Sequence, residues 1–260
     1  MRVRIVQQAP VPRAVAKNIE MTADAVFEAR RSDLVVLPEL FLSGYQLERL
    51  EEVSLSADSS ALDPIRDAAA RMQTAVIVGF AETHDRATAN SAICIGPDGR
   101  TSGMYRKTHL FGAECDVFAA GDSLEPIHLC GRRIGLMICF DVEFPEVART
   151  LAARDADLLV TISANMVPYA RDHASFTEAR ALENGLPHIY ANRTGSESGF
   201  TFVGGSRAID ETAAFVGKLD AVPSVLDVEI GDSRSREHLV YREQLRSNLY
   251  FYGEAARTGQ

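Results

Sequence analysis

The 260-residue sequence holds no long unbroken apolar run; a membrane-crossing helix would need about 18 such residues, so none is expected. The chain opens directly on a strand-like stretch, Val3 to Gln7, with no sign of a secretory leader, and a cytoplasmic protein is expected. Cysteine is scarce. Cys94, Cys115, Cys130 and Cys139 show no C-x-x-C spacing, which argues against a zinc ribbon or a small disulfide scaffold and leaves reduced thiols. The six histidines form no HExxH pair. Basic charge is in deficit, with 27 Lys and Arg against 36 Asp and Glu and a net charge of -9. Lys and Arg also form no extended run, so neither nucleic acid nor an anionic membrane is expected as a partner, and a small molecule is. Gly204 and Gly205 in FVGGSR complete no GxGxxG, which leaves nucleotide binding unsupported. No Pro/Ser-rich linker or low-complexity tract divides the chain, so one domain over 1–260 is expected.

What is present suits a folded α/β protein. Apolar residues make up 46% and charged residues 24%, enough for a substantial core. Strand-like Val3 to Gln7 is followed by helical spacing over Ala14 to Arg31, and Leu34 to Leu37 is an uninterrupted apolar run of strand length, as in a strand covered on both faces. A helix around Leu62 to Arg71 and a strand Ala75 to Phe80 come next. A hairpin then joins Asn90–Ile95 to Thr101–Tyr105 through the turn formers Gly96, Pro97, Asp98 and Gly99. Strand Ile134–Cys139, helix Phe144–Arg154, strand Leu158–Ile162, helix His173–Asn184, stopped by Gly185, and strand His188–Asn192 complete the pattern. Strands alternating with helices around a hairpin imply mixed sheets. The stretches SDLVVLPE and ADLLVTISA echo each other, which suggests two similar halves stacked sheet on sheet.

Three residues are candidates to carry chemistry. Cys139 ends the apolar strand IGLMIC at the turn into a helix, where backbone N–H groups can stabilise a thiolate or an oxyanion. Glu39 follows Leu37 and Pro38 at the end of a strand with no polar residue of its own, and a carboxylate there is costly unless paired or used as a base. Lys107 stands just after the hairpin in YRKTHLFG. A poor electrophile such as an amide needs a thiolate to form a thioester, a base for its proton and a cation facing the oxyanion. These three residues supply that set without a histidine, and His109 reads as structural.

The motifs LPEL, YRKTHLFG and ICFDVEFPE, in that order and separation, resemble the three catalytic motifs of the carbon-nitrogen hydrolase (nitrilase) superfamily over nearly the whole chain. The resemblance implies a four-layer α-β-β-α sandwich with mixed sheets, Glu39 as general base, Lys107 stabilising the tetrahedral intermediate and Cys139 as nucleophile. It implies no metal and no organic cofactor. Glu114, with Phe118, Gly121 and Asp122 after it, is similar to the family loop whose second glutamate positions substrate and supports the lysine. The backbone N–H of Phe140 would serve as an oxyanion donor. Nitrile-hydrolysing members usually carry Trp at that place, and this chain has no Trp, which favours an amidase.

Substrate residues are expected around SANMVPY, where Asn165 and Met166 would line the acyl pocket, with Tyr45 a weaker candidate. Glu143 stands where relatives acting on monoamides of dicarboxylic acids commonly have Arg, so it would attract an amine or a neutral polar tail. Glu146 reads as structural, pairing across helices. The segments together look most like the aliphatic amidase branch that includes 5-aminopentanamidases. The leading expectation is an amidase acting on a short linear aliphatic amide. Alternatives are an N-carbamoyl amine or ureido hydrolase, a catalytically silent binding protein on the same fold, and a separate glutaminase subunit. The family implies a homodimer or higher homo-oligomer. The extension from about residue 231, with Leu239, Tyr241, Leu245, Leu249, Tyr250 and Phe251, is apolar enough to pack on a second subunit.

Overall fold

The run Leu34 to Leu37 shows how the core is divided in the computed structural model, which describes residues 1–231 and 244–246. Strand β2 (Leu34–Val36) lies between β1 (Arg2–Gln7) and β3 (Ala75–His84) and is parallel to both. Leu34 and Val36 point towards a second sheet, whereas Val35 and Leu37 pack under helices α1 (Val15–Glu28) and α2 (Asp63–Met72). Both faces are covered, so the run has no polar break. β4 (Ala87–Ile95) and β5 (Thr101–Arg106) extend the sheet on one side and β14 (Ser224–Glu229) closes the other, in the order β14-β1-β2-β3-β4-β5.

The second sheet repeats the plan. Its centre is the parallel set β7 (Arg132–Ile138), β8 (Leu158–Ser163) and β9 (His188–Asn192), flanked by β6 (Ile127–Leu129), β12 (Arg207–Ile209) and β13 (Phe215–Lys218). Leu158, Val160 and Ile162 face the first sheet, while Leu159 packs outward with Val147 and Leu151 of α3 (Pro145–Ala153). Helix α4 (Ala170–Asn184) lies beside α3, and Phe176 joins the same outer cluster. The layers therefore run α-β-β-α, the sandwich expected from the sequence. The echo of SDLVVLPE and ADLLVTISA corresponds to β2 and β8, each the middle strand of its sheet's parallel set.

Several boundaries differ from the sequence reading. Strand β3 runs on past Phe80 to His84 and pairs with β4 through a tight turn at Asp85 and Arg86. That turn carries neither Gly nor Pro, and Asp85 takes the left-handed conformation itself, φ 53°. Helix α1 stops at Glu28 and α4 begins at Ala170 rather than His173. β7 ends at Ile138, so Cys139 opens a 3-10 turn, Cys139–Glu143, instead of closing the strand. Strands β6, β12, β13 and β14, and the hairpin β10 (Thr194–Glu197) with β11 (Phe200–Val203), were not anticipated; most are too short for a periodic signal. Of the apolar residues expected to form a C-terminal extension, only Leu245 is described, and it is exposed; the others lie outside the described residues. No helix among the described residues is long and apolar enough to cross a membrane.

His188 gives the fold a defined acid sensitivity. Its ring nitrogens meet the Thr177 carbonyl at 3.0 Å and the Thr161 hydroxyl at 2.8 Å beneath α4, and burial pushes its pKa down from 6.5 to about 4. The unfolded chain then binds a proton that the fold excludes, so stability is full above pH 6.5 and falls as the pH drops towards 4, by at most about 3 kcal/mol. Urea titrations at neutral pH and near pH 4.5 should show this loss, with the slope flattened in His188→Gln.

Candidate active site

The central strands of the two sheets end close together: Glu39 follows β2, Cys139 follows β7, and Ala164, just past β8, bonds Glu39. Glu39 stands two residues beyond Leu37, where the chain turns through Leu40 with φ 49°. Gly79 of β3 lies directly under this turn, its N–H bonded to the Pro38 carbonyl at 3.1 Å. The Glu39 carboxylate is buried and fully engaged. Oε1 accepts from Lys107 Nζ at 2.8 Å and Asn90 Nδ2 at 2.7 Å, and Oε2 accepts from the Ala164 N–H at 2.7 Å just past β8. The last bond ties the end of one sheet to the end of the other.

Lys107, immediately after β5, is also buried. Its ammonium lies 2.8 Å from Glu39 Oε1 and 2.8 Å from Glu114 Oε2. Burial alone would lower the ammonium's pKa, but the carboxylates of Glu39 and Glu114 outweigh it and hold the pKa well above its usual value. Lys107 is therefore a fixed cation. Glu114 is positioned by the Phe111 N–H at 2.9 Å and by the Tyr45 hydroxyl at 2.7 Å. Glu197 in turn accepts from the Tyr45 N–H at 3.1 Å and from Arg193, fixing the Tyr45 loop.

Cys139 adopts φ 46°, a left-handed conformation uncommon for a non-glycine residue and typical of strained functional positions. Burial pushes its thiol pKa up, Glu39 and Glu114 add to this, and Lys107 and a hydrogen bond from Ser163 oppose it. The resting sulfur thus keeps its proton and needs a base beside it. Glu39 suits that need. Burial, reinforced by Glu114, raises its carboxyl pKa against the pull of Lys107 and Asn90, and a more basic carboxylate takes a thiol proton more readily.

Asp141, two residues past Cys139, holds the elbow in shape. Oδ2 accepts from the Ile138 N–H at 3.0 Å and the Tyr105 hydroxyl at 2.8 Å; Oδ1 accepts from the Thr108 hydroxyl at 2.8 Å and the His109 N–H at 2.9 Å. Asp141 therefore fastens the Cys139 turn to the segment that carries Lys107. His109 also meets Asp141 and stacks on Phe144 at 4.0 Å, a positioning arrangement.

A cleft opens from Cys139. Phe111, Phe140, Met166 and Tyr169 form its apolar walls, and Glu143, Asn165 and His173 its polar part. The cavity volume is about 20 Å³, room for roughly one or two waters, so only a slender group fits without side-chain movement. Asn165 holds its own loop, donating to the Tyr169 carbonyl at 3.1 Å and accepting from the Met166 N–H at 2.9 Å. Glu143 lies 3.3 Å from His173 Nε2. Tyr45 is buried beneath Glu114 and is not part of the cleft wall. Glu146 is exposed at the start of α3, and the pairing across helices expected of it is not found among the described residues. A larger groove of about 320 Å³ runs along β5 and residues 121–128 and includes none of these groups. No group of three or more His, Cys, Asp or Glu among the described residues is arranged to hold a metal ion.

The sequence reading missed Asn90, Asp141, Ser163, Tyr190 and Glu197. Asp141 had a usable signal, its three-residue spacing from Ile138 at a strand-to-helix turn; the others are single polar residues inside strands or loops. Gly79 tests how finely the Glu39 turn must be placed. A Cβ there would come 2.5 Å from the Leu40 nitrogen and 2.6 Å from the Glu39 Cα. Gly79→Ala should cost about 1–3 kcal/mol in denaturant titrations and lower kcat/KM at least about tenfold, since small misplacements of reacting groups are costly. Unchanged kcat/KM would show that the turn tolerates displacement.

Comparison with known proteins agrees with this geometry. The carbon-nitrogen hydrolase family matches residues 2–237. An (R)-stereoselective amidase of Pseudomonas sp. is 34% identical over 235 residues, covering 88% of this chain and 85% of that protein. A hydrolase of Pseudomonas protegens is 36% identical over 260 residues, covering 96% and 90%. Among solved structures, a cysteine-to-alanine mutant of an amidase from Nesterenkonia superposes with a TM-score of 0.86 at 28% identity, over 96% of this chain and 95% of that one. Another mutant of that amidase, with a TM-score of 0.85, 27% identity and the same coverage, carries the acetamide moiety of fluoroacetamide covalently on its active-site cysteine. Strand ends, buried ion cluster and relatives agree, and the chain belongs to the carbon-nitrogen hydrolase family.

Proposed function

We infer that this amidohydrolase cleaves a short linear aliphatic amide through a thioester on Cys139, with Glu39, Lys107 and Glu114 completing the catalytic group. The supporting observation is the Lys107 ammonium held between the Glu39 and Glu114 carboxylates beside the Cys139 thiol. Glu39 takes the thiol proton as sulfur attacks the amide carbonyl. The oxyanion that forms faces the Lys107 ammonium and the Phe140 N–H. Glu39 then gives its proton to the departing nitrogen, the carbon–nitrogen bond breaks and ammonia leaves. Water attacks the thioester with Glu39 again as base, releasing the acid and restoring the thiol. Glu114 holds Lys107 in place, and Tyr45 supports it.

The acyl group lies against Met166 and Asn165, with Glu143 at its far end. A carboxylate there repels an acidic tail and suits an amine or a neutral polar one, as the resemblance to the 5-aminopentanamidase branch also suggests. The apolar C-terminal sequence after about residue 231 is proposed to pack on a second subunit, making a homodimer or larger homo-oligomer of single-domain chains in the cytoplasm.

Ammonia release over a panel of short amides with amine, neutral and carboxylate tails tests the reading. Activity should favour the first two, and Cys139→Ala should lose at least about a thousandfold in kcat. Glu143→Gln should raise KM about tenfold for amine-tailed amides, the loss of one charge-assisted contact, and leave neutral ones nearly unchanged. Carbon dioxide released together with ammonia from N-carbamoyl amines, with amides left intact, would identify a carbamoyl hydrolase instead. Release of neither product would favour the binding protein.

A further inference from the structure

The ends of the two sheets are tied a second time, by the hairpin of β10 and β11. On one side the hairpin is held by backbone contacts to the loop that follows β8. Phe202 bridges Met166, the Val167 N–H donates to the Thr201 carbonyl at 2.9 Å, and the Val203 N–H donates to the Asn165 carbonyl at 3.1 Å. On the other side it meets the Tyr45 loop through side chains. Glu197, the last residue of β10, accepts from the Tyr45 N–H at 3.1 Å and from Arg193 Nη1 at 2.5 Å through Oε2, and from Gln46 Nε2 through Oε1. A Cβ at Gly44, φ 77°, would overlap the Glu197 carboxylate, so loop and carboxylate are fitted to each other. Arg193, just before β10, lies over the Phe202 ring at 4.0 Å, and Phe202 packs against the Tyr45 ring with centroids 5.7 Å apart. Arg193, Glu197 and Tyr45 are all buried.

A buried ion pair adds little net stability over apolar side chains of similar size, because desolvation cancels most of the attraction, yet either charge becomes costly once its partner moves. The pair therefore restricts where the Tyr45 loop can sit. From that loop the Tyr45 hydroxyl reaches Glu114 Oε1 at 2.7 Å, and the same oxygen lies 3.0 Å from Lys107 Nζ. We propose that Arg193 and Glu197 are positioning residues for the amide hydrolysis: a buried ion pair on the β10–β11 hairpin that sets the Tyr45 loop and, through the Tyr45 hydroxyl, orients Glu114 and the Lys107 ammonium. The inference rests on Glu114 and Lys107 acting in that reaction. Neither Arg193 nor Glu197 lines the cleft, and the backbone bonds to residues 165–167 do not depend on their side chains, so the pair acts on kcat rather than on KM.

The experiment is a double-mutant cycle in the full-length enzyme, reading kcat and KM for ammonia release from the short amide that the wild type turns over fastest. Tyr45→Phe removes one hydrogen bond to a charged group and should lower kcat about tenfold. Glu197→Gln keeps the size of the side chain but leaves Arg193 without its counter-charge, and should also lower kcat about tenfold, with KM within about twofold. Because both act through one contact, the double variant should lose little more than either single variant, where independent effects would multiply to about a hundredfold. Thermal unfolding checks that each variant is folded; if Glu197→Gln is not, the same cycle is run with Arg193→Lys, which keeps the charge and loses the planar contact. Folded variants with the wild-type kcat, losses that multiply, or a rise in KM with kcat unchanged would overturn the proposal. Failure of the underlying reading is distinguishable, because Cys139→Ala would then keep its activity or the wild type would release no ammonia from any amide.

Discussion

The buried contact of Lys107 with Glu39 and Glu114 is the constraint on which the rest of the site depends. An ammonium and two carboxylates removed from water are costly to desolvate, and only close mutual contact with further hydrogen bonds offsets that cost. The surrounding structure supplies those bonds: Asn90 and the Ala164 N–H for Glu39, Tyr45 and the Phe111 N–H for Glu114. Each donor comes from a different part of the chain, so the cluster exists only when the two sheets are stacked in one register. Catalytic geometry and tertiary structure are consequently the same arrangement seen at two scales.

The placement also divides labour between charge and shape. Lys107 is locked as a cation and Glu39 is made more basic by burial, while Cys139 is held on a strained left-handed turn fastened by Asp141. A neutral resting thiol beside a base is protected from indiscriminate reaction and becomes a nucleophile when its proton is taken. The cleft wall is aromatic and narrow near the sulfur and polar at Glu143 and His173.

The sequence carried the long central strands and the charged members of the site more clearly than the supports. LVVL reads as a doubly covered strand because both faces are apolar, and the two-sheet core bears this out. Glu39 and Cys139 stand out because an ionisable residue at the end of an apolar run is physically expensive, and Lys107 stands out through the motif YRKTHLFG that resembles the family's. Asn90, Ser163 and Tyr190 give no such signal: a neutral polar residue in a strand costs little to write and reveals its partners only in three dimensions. Several short antiparallel strands were missed for a similar reason, since strands such as Ile127–Leu129 and Arg207–Ile209 are too short to establish a period. Tyr45 illustrates a further limit. Expected as a weaker candidate for the acyl pocket, it donates its hydroxyl to Glu114 Oε1 at 2.7 Å, a contact that its place in the sequence does not announce.

The most direct test of a sulfur nucleophile working within this charge cluster is acid-quenched peptide mass spectrometry during turnover of a small amide. The account predicts a mass increase equal to the acyl group on the peptide containing Cys139, and none on those containing Cys94, Cys115 or Cys130. Steady ammonia release with Cys139 never found acylated, including in a Glu39→Gln enzyme slowed at thioester hydrolysis, would contradict it.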